Sequence, residues 1–199
     1  MRIFLDMDGV MVDFVGSLLQ FARRPELLAD WQPRGCYDLT QVLGVSSHYI
    51  WDNAYSNVNF WINMQPCPWM HQLLKECRRY GSITIASDPS LSPEAAAGKM
   101  QWMSNHLPAW TDRLVLTSHK HLLATPNSVL IDDSDKNIGQ FRMAGGHGIL
   151  FPQPWNSLYE IAERGDGLAH VMRELNRKAR WRFYKQENRI FQSRNHEEV

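Results

Sequence analysis

Four carboxylates, a serine and a lysine stand where short apolar runs end. Asp6 and Asp8 follow Ile3-Phe4-Leu5, Ser87 closes Ile83-Thr84-Ile85-Ala86, and Asp132 and Asp133 follow Val129-Leu130-Ile131; Lys120 lies shortly after Leu114-Val115-Leu116. Taken singly, an aspartate after a strand is a turn or cap residue and a lysine is solvated surface. Together they imply more, because in an open parallel sheet ligands sit at the carboxyl ends of the strands. Two acidic pairs brought to one edge would repel unless a cation lay between them. A hard divalent ion held by carboxylates and completed by water and a phosphate oxygen is the magnesium pattern.

The elements that must position these residues alternate. The first apolar run reads as a buried strand ended by Gly9, and Val12 to Arg24 as a helix. Pro68 opens a helix carrying Met70, Leu73, Leu74 and Cys77 at helical spacing, closed by Gly81. Ser92-Pro93 caps and starts another that runs toward His106, Asp135 to Ala144 is closed by Gly145-Gly146, and Asn156 caps a helix to about Glu163. Ile149-Leu150-Phe151 is a fifth strand. The spacing predicts an α/β fold: a Rossmann-like parallel sheet covered on both faces. Residues 15–75 form an irregular, aromatic-rich insertion after the first strand, read as a small helical cap on a core of residues 1–14 and 76–167. Residues 168–199 form a basic, helical tail, with eight Lys or Arg against two Glu between Arg173 and Arg194.

Composition excludes little but steers the reading. The 199 residues are 44% apolar and formally neutral, so no global field draws the chain to nucleic acid or membrane. Three cysteines without CxxC spacing argue against a disulfide framework or a structural zinc site. No apolar run suits a signal peptide or a membrane span, and a cytoplasmic location is expected. His119 and His121 flank Lys120, but no third ligand accompanies them, and they read as loop residues near an anionic site.

The ordered set Phe4-Leu5-Asp6-Met7-Asp8-Gly9-Val10, Ile85-Ala86-Ser87, Lys120 and Leu130-Ile131-Asp132-Asp133 resembles the haloacid dehalogenase superfamily over about residues 1–165. Asp6-Met7-Asp8-Gly9-Val10-Met11-Val12-Asp13-Phe14 and Asn59-Phe60-Trp61 before Gln65-Pro66 are similar to the 5'(3')-deoxyribonucleotidases within it. The resemblance implies that Asp6 is a nucleophile forming an aspartyl-phosphate and that Asp8 is acid, then base. It implies magnesium bound by Asp6, the Asp8 backbone carbonyl and Asp132, with Asp133 orienting a metal-bound water, and Ser87 cradling phosphate oxygens. Lys120 is preferred to Lys99 as the family's basic residue, because it follows a strand end whereas Lys99 sits inside a predicted helix. Asp88 and Leu91 stand where the family has Ser and Lys, so the resemblance leaves the details of phosphate and sugar recognition there open, with Asp88 as an expected substrate contact.

The insertion holds Trp31, Tyr37, Tyr49, Trp51, Tyr55, Phe60, Trp61 and Trp69. An aromatic wall facing a phosphate site would stack on a nucleobase; by resemblance Phe14, Phe60 and Trp61 are the expected contacts. A nucleoside monophosphate is the expected substrate, its deoxy form by analogy alone. Competing readings are a phosphatase for a sugar phosphate or a nucleic-acid 3' end, and a non-catalytic nucleotide-binding relative. A homodimer is left open.

Overall fold

The computed structural model describes residues 1–196, with side chains through Trp181; the basic residues Arg182, Lys185, Arg189 and Arg194 of the tail, and residues 197–199, lie outside the described side chains. Five strands, β1 (Arg2–Leu5), β2 (Ser82–Ser87), β3 (Leu114–Leu116), β4 (Ser128–Asp132) and β5 (His147–Leu150), form one parallel sheet in the order β3-β2-β1-β4-β5. Leu5 pairs with Ile85 on one side and Ile131 on the other, so Asp6 and Asp132 leave adjacent strands at the same level.

Alternation along the strands builds two cores. Ile3, Leu5, Ile83, Ile85, Val129 and Ile131 face one layer; Phe4, Leu130 and Leu150 face the other with Ile138 and Phe141. The first layer holds α1 (Phe14–Phe21), α5 (Met70–Cys77) and the start of α9 (Gly167–His196), through Leu18, Leu73, Val171 and Leu175. Between α1 and α5 come α2 (Leu39–Leu43), α3 (Ser47–Ile50) and α4 (Val58–Ile62), with one π-helical turn at Trp51–Tyr55. Ile50, Ala54, Phe60 and Trp61 of this insertion belong to the same apolar cluster as the sheet. Ser92 and Ser134 cap α6 (Pro93–His106) and α7 (Asp135–Met143), each accepting a backbone N–H with its hydroxyl. No helix among the described residues is long and apolar enough to cross a membrane.

Boundaries that differ from expectation include three with local reasons. Helix α1 starts at Phe14 rather than Val12, because Val12 O accepts from Gly9 N in the turn and the Asp13 carboxylate caps Gly16 N at 2.9 Å. Helix α5 starts at Met70, Pro68 lying outside it. Asn156 is not a helix cap: its amide donates to Asp133 O and Phe151 O, and α8 (Tyr159–Glu163) begins three residues later.

His147, at the start of β5, has a buried Nε2 with no hydrogen-bond partner among the described residues. Burial and then Lys178 and Arg142 push its pKa down to about 4, against Glu174, from about 6.5 in the unfolded chain. Between these values the unfolded state binds the extra proton, so stability present above pH 6.5 is lost as pH falls toward 4. The melting temperature of His147→Asn relative to wild type should rise as pH falls from 6.5 toward 4; taking the difference removes the slopes shared by both proteins, that of His170, also depressed by burial, and the opposite one of the raised Asp6 and Asp133 carboxyls. A difference that does not change with pH would contradict this.

Candidate active site

Asp6 emerges from the central strand with its backbone N–H bonded to Ile131 O. Its Oδ1 accepts from Met7 N at 2.7 Å and meets the Lys120 ammonium at 2.7 Å, and the same ammonium lies 2.6 Å from Asp132 Oδ2. Lys120 thus bridges the first and fourth strands. Burial alone would drive its proton off, but Asp6 and Asp132 outweigh burial and hold its pKa above the usual lysine range. Asp132 is fully buried, with Oδ1 accepting from Ser134 N at 2.9 Å and Asn137 Nδ2 at 3.1 Å.

One ammonium cannot neutralise this cluster. Burial first, then Asp132, push the Asp6 carboxyl well above the carboxylate range, despite Lys120. Burial and Asp132 likewise raise Asp133 to about 7, although Trp155 Nε1 donates to its Oδ2 at 2.7 Å. One oxygen each from Asp6, Asp132 and Asp133 falls within 4.8 Å of the others. A compact set of hard oxygen donors, buried at Asp6 and Asp132 and partly buried at Asp133, with surplus negative charge fits a divalent cation. Asp133, expected behind the ligands, stands in this cluster with Asp132. Gly9 explains the close approach: at φ +72° a Cβ there would lie 2.1 Å from Asp133 Oδ2.

Asp8 lies on the other side of Asp6. Its Oδ2 pairs with the Lys99 ammonium at 2.5 Å, and its Oδ1 is buried without a partner among the described residues. Lys99 also donates to Ser87 Oγ at 3.0 Å and Asp88 O at 2.5 Å. Both lysines considered from the sequence therefore enter the site, but it is Lys120 that touches Asp6. Ser87, expected to cradle phosphate, is fully enclosed beside Lys99 and does not line the cavity described next. Asp88 does line it, with Oδ1 accepting from Ser90 N at 2.7 Å and Ser118 Oγ at 3.0 Å.

Above the carboxylates opens a cavity of about 600 Å³ whose aromatic wall is Phe14, Tyr37, Tyr55 and Trp155. The expected contacts Phe60 and Trp61 are corrected here. Trp61 is fully buried, stacked on the far side of Phe14 at 5.6 Å with its indole N–H on Tyr55 O. Phe60 packs edge-on against Phe14 and Phe21 and borders a separate hollow with Asn59 and Asn63. Both are packing residues behind the wall, because the apolar face of α4 is buried against α1 and α6. Tyr37 and Tyr55 were visible as insertion aromatics but not singled out. Trp155 was missed, although it follows the carboxyl end of β5, where the strand-end rule applies. His119 and His121 lie with ring centroids 5.7 Å apart, outside the acidic cluster.

A sequence model of the family described as "5' nucleotidase, deoxy (Pyrimidine), cytosolic type C protein" matches residues 1–182. The human "5'(3')-deoxyribonucleotidase, cytosolic type" is 29% identical over 161 residues, covering 75% of this chain and 79% of that protein. Among solved structures, a haloacid dehalogenase-like family hydrolase from Xanthomonas campestris superposes with TM-score 0.50 at 14% identity, covering 90% of this chain and 94% of that one, and so shares the fold.

The surplus of buried negative charge predicts a thermal response. Magnesium at a hundredfold excess over its dissociation constant should stabilise metal-free protein by about 2.7 kcal/mol, roughly 5–10 °C in a melt at this size. Asp132→Asn should lose most of that shift. No shift with magnesium, manganese or calcium would contradict a metal site here.

Proposed function

The chain belongs to the 5' nucleotidase, deoxy (Pyrimidine), cytosolic type C family, a family of 5'-nucleotidase-type phosphatases, and from that premise we propose that it is a magnesium-dependent 5'(3')-deoxyribonucleotidase. In this reading it hydrolyses nucleoside monophosphates in the cytoplasm through an aspartyl-phosphate intermediate. The observation that carries the reading is the arrangement of Asp6: tied to Lys120 and, with Asp8, lining the floor of an aromatic-walled cavity.

The chemistry divides hydrolysis into two displacements. Met7 N and Lys120 hold Asp6 Oδ1, which leaves Oδ2 to attack phosphorus in line. As the ester P–O bond breaks, Asp8 gives its proton to the departing sugar oxygen and becomes a carboxylate. Asp8 then takes a proton from water, the resulting hydroxide attacks phosphorus, the Asp6–phosphorus bond breaks, and inorganic phosphate is released. Lys120 keeps its charge throughout and offsets the anion gathering at the phosphoryl group. Magnesium, held by Asp6, Asp132, Asp133 and the Asp8 carbonyl, would screen the meeting of two anions. Phe14, Tyr37, Tyr55 and Trp155 provide flat surfaces for the base.

Two measurements check this reading. Asp6→Asn should lower turnover of deoxyribonucleoside monophosphates by at least about a thousandfold while the fold persists; phosphate release within tenfold of wild type would remove Asp6 from its role. Tyr55→Ala should cost about tenfold or more in kcat/KM on a nucleoside monophosphate, as a lost stacking contact implies, and much less on a small aryl phosphate. An equal loss on both would make Tyr55 packing rather than base contact.

A further inference from the structure

The site contains a second buried ammonium that the two-step reading leaves without a task. Helix α6 carries Lys99 to Asp8, behind the cavity, because Gly98 lets it press against α4: a Cβ at residue 98 would lie 2.3 Å from Trp61 Cβ. Lys99 is fully buried, its ammonium 4.8 Å from the centroid of the Trp61 ring. An ammonium has three N–H donors, and here three acceptors surround it: Asp8 Oδ2 at 2.5 Å, Ser87 Oγ at 3.0 Å and Asp88 O at 2.5 Å. It is saturated by protein and has no donor left for a phosphoryl oxygen. Lys120, by contrast, touches the nucleophile.

Resting on the aspartyl-phosphate reading, we propose that Lys99 is the positioning residue for proton transfer by Asp8. The contact on Oδ2 fixes the rotamer of Asp8, whose Oδ1 is enclosed and has no partner among the described residues, so the strong contact that orients this carboxyl comes from Lys99. In the first step the O–H bond of the Asp8 carboxyl breaks, the proton goes to the ester oxygen, and the P–O bonding pair stays on that oxygen. The negative charge left on Asp8 is shared with Oδ2, where Lys99 already stands. Ser87 and the Asp88 carbonyl hold the ammonium in place, which gives the enclosed Ser87 hydroxyl a task away from the phosphate.

A purely structural lysine and a positioning one differ in their dependence on the leaving group. A sugar alkoxide needs a proton to depart, whereas 2,4-dinitrophenolate does not. Because kcat/KM ends at expulsion of the leaving group, the later water step does not enter the comparison. Lys99→Met should lower kcat/KM about a hundredfold on a deoxyribonucleoside monophosphate, within the range of general acid catalysis, and less than about threefold on 2,4-dinitrophenyl phosphate. In an Asp8→Asn background the same change should cost less than threefold on either ester. If Lys99→Met does not fold, Lys99→Gln, which keeps hydrogen-bond donors without the charge, should give the same contrast. Equal losses on the two esters, or a further tenfold loss in the Asp8→Asn background, would overturn the positioning role alone. Wild-type rates on both esters in Asp6→Asn would instead overturn the phosphatase mechanism beneath it.

Discussion

Everything at the carboxyl edge of the sheet is arranged around mutual repulsion among buried carboxylates. Parallel pairing in register brings Asp6 and Asp132 off neighbouring strands at one level, and the tight turn at Gly9 lets Asp133 approach as well. Such a cluster is costly to bury unless it is paired and hydrogen-bonded. Lys120 supplies one charge, and Ser134 N, Asn137 and Trp155 supply neutral donors. The charge still unmet favours a bound cation.

The second constraint places Asp6 and Asp8, to which the proposed mechanism gives different tasks, in different surroundings. Asp6 and Asp8 are two residues apart, yet each has its own lysine, from different directions: Lys120 from the segment after β3 and Lys99 from α6. Two like groups in different surroundings can then take different roles. The aromatic insertion serves this separation. Trp61 backs both Phe14 and the Lys99 ammonium, so the layer that packs the insertion onto the core also covers the Lys99–Asp8 pair, while Phe14 lines the cavity.

Much of this was legible in the sequence, because strand-end chemistry depends on local pattern. Short, mostly apolar runs followed by Asp6, Ser87 or Asp132 are readable without tertiary knowledge, and so was the order of strands and helices around them. Lys99 was harder to place. A lysine in a predicted helix normally faces water, and only the close approach at Gly98 turns it inward. The aromatics failed for a related reason: a sequence shows that Phe60, Trp61, Tyr37 and Tyr55 share a segment, but not which ring is spent on packing. Asn156 looked like a cap because asparagines usually are; here its amide ties the β4 and β5 ends together instead.

The central claim is that Asp6 carries the phosphoryl group between the two displacements. Acid quenching during steady-state turnover of a deoxyribonucleoside monophosphate, followed by borohydride reduction and peptide mass spectrometry, addresses it directly. An acyl phosphate at residue 6 would be reduced to homoserine at that position alone, in proportion to the enzyme occupied. An enzyme turning over at full rate, with residue 6 recovered only as aspartate at every quench time, would contradict the account.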